Sequence, residues 1–171
     1  MSEAVQAATA PRGITPWGWR AFAIAAVVIV LDQLTKYWIL SVVRLPERAT
    51  MEVFGPLNFT RIWNEGVSFG LFQAEHDLVR WGFVAFSAAV AVLLAVWARN
   101  QTRALTALGL ALVIGGAVGN AIDRARFGAV VDFIDVSALG FFPWIFNIAD
   151  AGITIGVILL LFDSLRPQRP A

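Results

Sequence analysis

Residues 104–122 read ALTALGLALVIGGAVGNAI, a run without a single charged side chain. A bilayer span takes about 20 mainly apolar residues, so this run predicts a membrane-crossing helix. Outward from it the same reading recurs. Residues 81–98 (WGFVAFSAAVAVLLAVWA) are also uncharged and predict the span before it, and residues 21–43, apolar apart from Asp32 and Lys36, predict the first. On the other side, residues 151–162 are uncharged but too short alone. The fourth helix is therefore expected from near Asn147 to near Leu165, with Pro143 just outside, where it costs no helical hydrogen bond. Arg12 and Arg20 precede the first span as in a signal peptide, but no small-x-small cleavage site follows it, so it is read as retained.

Composition agrees. The chain has 171 residues, 58% hydrophobic and only 15% charged, against roughly 25% charged in an ordinary soluble domain. With 13 Lys+Arg against 12 Asp+Glu, no positive excess exists to neutralise a phosphate backbone, and nucleic acid is excluded as a partner. The absence of cysteine removes disulfides, thiolate metal sites and a cysteine nucleophile. The single histidine, His76, argues against a His-ligated zinc centre, and in Glu75-His76-Asp77 it reads as a solvated loop residue. Neither a metal nor a cofactor is expected. The glycine-rich run 115–119 lacks the Lys-Ser/Thr of a phosphate loop. The expected fold class is an all-α integral membrane protein of four transmembrane helices with a small extracytoplasmic β-sheet and loop segment. Residues 17–171 form its single domain, and residues 1–16 a disordered extension to which no function is attached.

Orientation follows from the basic flanks. Arg12 and Arg20 precede the first span, Arg99 and Arg103 lie in the tight turn 99–103, and Arg166 and Arg169 follow the fourth. These short segments place both termini in the cytoplasm. The longer segments, 44–80 and 123–146, then face out, with Trp17, Trp19 and Trp97 at the inner interface and Trp81 and Trp144 at the outer. Within 44–80, Met51–Phe54 and Leu57–Trp63 favour strands, punctuated by Gly55-Pro56, and predict a small sheet lying on the membrane.

Polar residues at membrane depth are costly and mark function by default. Asp32 and Lys36 are one turn apart on a single face and can pair, either as a structural ion pair or as part of a site. Gly115 with Gly119, and Gly152 with Gly156, form small-xxx-small surfaces expected to draw together the outer ends of helices three and four. Asn120 and Asp123 share a face at one of those ends, and Asn147 and Asp150 repeat the spacing at the other. Between them, Asp132 has apolar neighbours in Val130-Val131-Asp132-Phe133-Ile134, whereas Asp123 is followed directly by Arg124. A carboxylate beside a guanidinium is held ionised, while apolar surroundings raise a carboxyl's pKa. That favours Asp132 and Asp150 as a pair sharing one proton, able to hydrolyse an amide without a covalent intermediate. The bland alternative is a set of solvated loop aspartates. A Ser-Lys peptidase would need a neutral Lys36, which Asp32 explains better as an ion-pair partner.

These motifs, taken in order, resemble the lipoprotein signal peptidases, the type II signal peptidases of bacteria. The resemblance covers about residues 30–162 and begins with Asp32-Gln33-Leu34-Thr35-Lys36 and Asn64-Glu65-Gly66-Val67-Ser68-Phe69-Gly70. It continues through Gly115-Gly116-Ala117-Val118-Gly119-Asn120-Ala121-Ile122-Asp123-Arg124 and Val130-Val131-Asp132-Phe133-Ile134, and closes on Phe146-Asn147-Ile148-Ala149-Asp150. It implies an intramembrane aspartic endopeptidase that removes signal peptides from prolipoproteins, cutting just before a diacylglyceryl-modified cysteine. The implied catalytic pair is Asp132 with Asp150. Asp32, Asn64, Asn120, Arg124 and Asn147 match positions that line or support the family's site, with Lys36, Gly66 and Asp123 behind them. The implied setting is the bacterial inner membrane, as a multi-pass monomer in lipid with its active site at the outer face. Val67-Ser68 departs from the smaller alanines common there, which bears on local sheet packing.

Two other classes compete. A small proton-coupled exporter would use Asp32 but leave segment 44–80 and the paired outer aspartates idle. A structural subunit would need none of the Asn/Asp clusters. Cleavage of a lipidated peptide by purified protein separates the three.

Overall fold

The computed structural model describes residues 13–66, 77–140 and 144–166. The expectations for residues 1–12, Val67-Ser68, His76, Pro143 and Arg169 lie outside them. Helix α1 (Pro16–Tyr37) starts earlier than its apolar run, because Pro16 suits a first helical position and Thr15 Oγ1 accepts a hydrogen bond from Gly18 N at 3.0 Å. Thr15 Oγ1 also donates to Gln101 O, so residues 13–16, expected in the disordered extension, are instead tied to the 99–103 turn and to α1. The helix continues as a π-helical segment, Trp38–Val43. Strands β1 (Thr50–Phe54) and β2 (Leu57–Asn64) precede α2 (Asp77–Ala98) and α3 (Ala104–Phe127). Then come β3 (Val130–Asp135), the short β4 (Ile145–Phe146) and α4 (Ile148–Ser164).

Among the described residues, three helical segments are long and apolar enough to cross a membrane: Pro16–Val43, Asp77–Ala98 and Ala104–Phe127. The fourth expected helix is present, flanked by Asn147 and Leu165 as its caps, but has 17 residues. The chain is thus a mostly helical membrane protein with a small antiparallel sheet.

Helix α3 lies at the centre, packed against α1, α2 and α4. Its glycines divide between two neighbours: the Gly152–Gly156 face of α4 meets α3 as expected, but the Gly115–Gly119 face is turned to α1, which corrects that half of the pairing. A Cβ on Gly115 would meet Val28 and Ala25 O of α1, and one on Gly119 would meet Asp32 Oδ2, so this ridge receives α1. The close approach of α3 to α4 runs instead through Gly109 against Gly156 and Gly116 against Ala149 O. Contact this tight lets backbones touch without a lipid-excluded void. It also brings the C-terminal turns of α3 beside the first turn of α4.

The sheet has strand order β1-β2-β3-β4, all antiparallel. Its third and fourth strands lie outside segment 44–80, where the sheet is expected from sequence. Val130–Asp135 has no alternation of polar and apolar residues, and the strand is buried along nearly its whole length, which erases the period-two signal. Gly128, at φ +84°, ends α3 in the left-handed region and turns the chain into β3. Ile39, Leu45 and Phe133 are buried beneath the sheet, where Phe59 packs edge-on against both Phe133 and Trp38.

Candidate active site

Four elements converge at the sheet end of the helices. Strand β3 supplies Asp132, α4 supplies Asp150, α3 supplies Asn120, Asp123 and Arg124, and α1 supplies Asp32 and Lys36. Asn147 is the hinge between them. It caps α4: its side-chain oxygen accepts from Asp150 N at 2.9 Å, while Asp150 Oδ2 accepts from Asn147 N at 3.3 Å. This capping box satisfies two N–H groups that a helix start would otherwise leave unpaired. The Asn147 amide nitrogen then donates to Asp132 Oδ1 at 2.6 Å and to Asn120 Oδ1 at 3.2 Å. Asn120 in turn donates to Asp150 Oδ1 at 2.8 Å. Asp132 and Asp150 are thereby linked through Asn147, which donates to both, while Asn120 bridges Asn147 and Asp150.

Asn64, on β2, donates to the other Asp132 oxygen at 2.9 Å. It lies opposite Val130, so it reaches Asp132 diagonally across the same face of the sheet. Asp132 is 1% exposed. Burial pushes its carboxyl up to about 6, the Asn64 hydrogen bond opposes that, and the charge of Asp150 adds to it. Asp150 is half-buried and so accessible.

Behind the pair lies a closed ion network. Lys36 Nζ is 2.8 Å from both Asp32 Oδ2 and Asp123 Oδ2 and donates to Asn120 Oδ1 at 3.2 Å. The ion pair expected between Asp32 and Lys36 therefore exists and also reaches the site. Asp32 Oδ1 accepts from Ala149 N at 3.0 Å, so α1 supports the first turn of α4. Asp123 accepts from Val131 N at 3.1 Å, fixing β3 next to Asp132. Asp123 adjoins Arg124 in sequence, but its cation in the structure is Lys36. Adjacent residues on a helix point about 100° apart, so sequence neighbours do not face each other. Arg124 instead has its guanidinium over the Phe83 ring, 5.3 Å from the centroid. Gly66, at φ +99°, brings backbone to that ring, where an added Cβ would sit 3.1 Å from it.

Gln33 was not singled out from sequence, yet its amide donates to Asp123 Oδ1 at 2.9 Å, Asp32 Oδ2 at 3.2 Å and Gly119 O at 3.2 Å. Its signal was available, as an uncharged polar residue at membrane depth beside Asp32. Gln33, Lys36 and Asp123 also line a cavity of about 380 Å³ with Tyr37, Trp63 and Phe127 among its walls. Asp132 and Asp150 do not line it. Among the described residues, no cluster of three or more His, Cys, Asp or Glu is arranged to hold a metal ion.

A family model described as signal peptidase (SPase) II matches residues 24–166. The lipoprotein signal peptidase of Caulobacter vibrioides is 53% identical over 156 residues, covering 91% of this chain and 92% of that one. That of Methylobacterium radiotolerans is 44% identical over 156 residues, covering 91% and 90%. A solved structure described as a bacterial membrane enzyme, determined in meso at 1.9 Å resolution, superposes with a TM-score of 0.77. It is 30% identical and the match covers 93% of this chain and 100% of that one.

Proposed function

The chain belongs to the signal peptidase II family, and on that premise we propose that Asp132 and Asp150 are the pair that carries out its reaction. The protein is a membrane peptidase of bacteria that removes signal peptides from prolipoproteins. The cut falls before the diacylglyceryl-modified cysteine. The observation that carries the pairing is the tether: Asn147 donates to Asp132 at 2.6 Å and caps the helix turn that holds Asp150.

The two carboxyls share one proton and work as a unit. The ionised member takes a proton from water as the water oxygen attacks the scissile carbonyl carbon. The protonated member gives its proton to the carbonyl oxygen, producing a neutral tetrahedral diol. Proton transfer to the amide nitrogen then lets the C–N bond break, releasing the signal peptide as an acid and the lipidated cysteine as an amine. Arg124 has no side-chain hydrogen bond or carboxylate within 4 Å among the described residues, so its donors are free for substrate carbonyls.

The same reading fixes the setting. Helix α4 is about 26 Å long at 1.5 Å per residue, and Ile155, Ile158, Leu161 and Phe162 are exposed along it. It is the fourth span, slightly short for a bilayer core of about 30 Å. Both termini are cytoplasmic and the sheet lies at the outer face of the inner membrane, as the basic residues of the short segments favour. A cysteine at position 2 that reacted with an impermeant reagent in intact spheroplasts would contradict this. Residues 17–171, with residues 13–16 joined to them through the Thr15 cap, act as one domain, and as a monomer in lipid, since a single chain supplies every group in the cluster.

Turnover of a diacylglyceryl-cysteine peptide by purified variants tests the pairing. Asp132→Asn and Asp150→Asn each keep their shape but cannot exchange the proton, and each abolishes cleavage in folded protein. Asp123→Asn loosens the ion network and lowers yield or rate while leaving measurable cleavage. Cleavage by Asp132→Asn together with none by Asp123→Asn overturns the assignment.

A further inference from the structure

Arg124 belongs to α3, but the groups that hold it belong to α2. Arg80, in the first turn of α2, donates from Nε to Arg124 O at 2.8 Å and from Nη2 to Ala125 O at 2.5 Å. Both carbonyls lie in the last turn of α3, where helical acceptors lose their intrahelical donors. Arg124 O also accepts from Gly128 N at 3.0 Å, so Arg80 grips the turn that starts β3. Among the described residues the fork has no close ion pair: its nearest carboxylate there, Asp77, is 3.9 Å away and 88% exposed. One turn further along α2, Phe83 presents its ring to the Arg124 guanidinium. The backbone of Arg124 is clasped by Arg80 and its charge rests on Phe83. That charge lies in the field of Asp150, Asp132 and Asp123 without touching any of them.

We propose that Arg80 and Phe83 are positioning residues for Arg124, and that α2 thereby sets where the peptide carbonyl of the substrate is held. This rests on the reading of Arg124 as the group that faces substrate. Held this way, the guanidinium is drawn towards the carboxylates by charge but anchored to α2 by its ring contact and its main chain. Releasing either anchor lets it collapse onto an aspartate, neutralising the acid pair's field and withdrawing its donors from the substrate.

The test is a double-mutant cycle on the full-length protein in lipid nanodiscs, with a synthetic diacylglyceryl-cysteine peptide. Arg80→Gln is expected to lower kcat about 10-fold with KM little changed, since a displacement of about 1 Å at a reacting centre costs up to 100-fold. Phe83→Leu keeps apolar volume but removes the ring face, and lowers kcat by about 3–5-fold. Arg80→Lys restores part of the loss. In an Arg124→Ala background, Arg80→Gln has less than about a twofold further effect, because neighbours acting through one group are not additive. Where steady-state turnover of the double variant falls too low, single-turnover cleavage with enzyme in excess over the same peptide completes the cycle. Equal losses from Arg80→Gln in both backgrounds overturn the inference, whatever the melting temperatures. Should Arg80→Gln fail to fold, Phe83→Leu in the two backgrounds decides it, since it leaves the backbone clasp intact. Normal turnover by Arg124→Ala alone is a different failure: it removes the substrate-facing role of Arg124 and the inference with it.

Discussion

Helices α3 and α4 are joined by buried acids at both ends, and the two ends differ in kind. At the end away from the sheet, Asp163 is 5% exposed and receives Arg103 Nη2 at 2.7 Å on Oδ1 and the Thr106 hydroxyl on Oδ2. One acid meets one cation and one hydroxyl, and the account closes without a second carboxylate. At the sheet end, Asp32 and Asp123 flank Lys36 and Asp132 and Asp150 lie in front of them, with Arg124 nearby and without an ion pair among the described residues. Asp32 and Asp123 share the lysine, which leaves Asp132 and Asp150 with neutral amides only. A buried acid is therefore no signature of chemistry by itself. An acid whose donors are all neutral, beside another in the same state, is one.

That contrast breaks most visibly in turnover. On the proposed pairing Asp132→Asn removes half of a proton-sharing pair, and general acid–base groups are worth about 10²–10⁴-fold each, so its activity should vanish into the background. Asp163→Asn should stay within about threefold of wild type, because the far end only fastens helices. An Asp163→Asn protein that is folded and inactive would show the two ends to be coupled and the division made here to be false.

Arg124→Lys comes next in size. It keeps the charge near the carboxylates but replaces a planar fork of donors by a point charge. Loss of a preorganised donor to a reacting carbonyl costs about 10²–10³ in kcat, and a fall of about 10²-fold is expected. Steady-state kinetics on the lipidated peptide measure it. Wild-type kcat in that variant would show that Arg124 serves the site by charge alone.

Stability gives the same comparison with opposite signs. The folded Asp132 carboxyl holds its proton to about 6, against 3.8 for an ordinary aspartate. Its contribution is fully present below 3.8 and is lost as pH rises through about 6. At pH 7.5 the ionised group therefore weakens the fold, by an amount on the order of 3 kcal/mol at most. Asp132→Asn should melt higher than wild type there, by less than that limit because an amide repels one of the donors from Asn64 and Asn147. The gap should close as pH falls towards 4. Asp163→Asn should melt lower at neutral pH, by about 1–2 kcal/mol, since Arg103 is 44% exposed and solvent screens the broken pair. Thermal unfolding of both variants between pH 4 and 8 checks this. A lower melting temperature for Asp132→Asn at pH 7.5 would mean its amide contacts outweigh the cost of burying its charge.

The helices were legible in sequence because membrane spans are uniform apolar runs, and Asp132 was legible as a polar residue set among apolar ones. Other parts were hidden for definite reasons. Strand β3 lacks alternation because both its faces are covered. The partition of glycines between α1 and α4 depends on helix rotation, to which a small-xxx-small pattern is blind. Lys36 reaching Asp123 and Arg80 reaching the carbonyl of Arg124 join residues far apart in the chain, and spacing carries no trace of either. Asp163 illustrates the converse: it sits on the same helix as Asp150, and only its partners tell the two apart.

The smallest expected effect is none at all, and it bears on what the neutral amides are for. Asp132 accepts from Asn147 and Asn64, and Asp150 from Asn120 and the Asn147 backbone, so each carboxylate oxygen already faces an N–H. A divalent cation bridging the two acids would have to displace those donors. Their positive ends would then point at the ion, with no histidine or thiolate among the described residues to complete its coordination. Amide donors suit a water molecule and a shared proton instead, since both can accept or donate as the charge on the pair changes. Prolonged chelation with EDTA, followed by assay in metal-free buffer, should leave kcat and KM unchanged within error. Activity lost to the chelator and restored by one particular divalent ion would mean that the asparagines move aside for a metal, and that the pair at the sheet end activates water through it rather than through a proton.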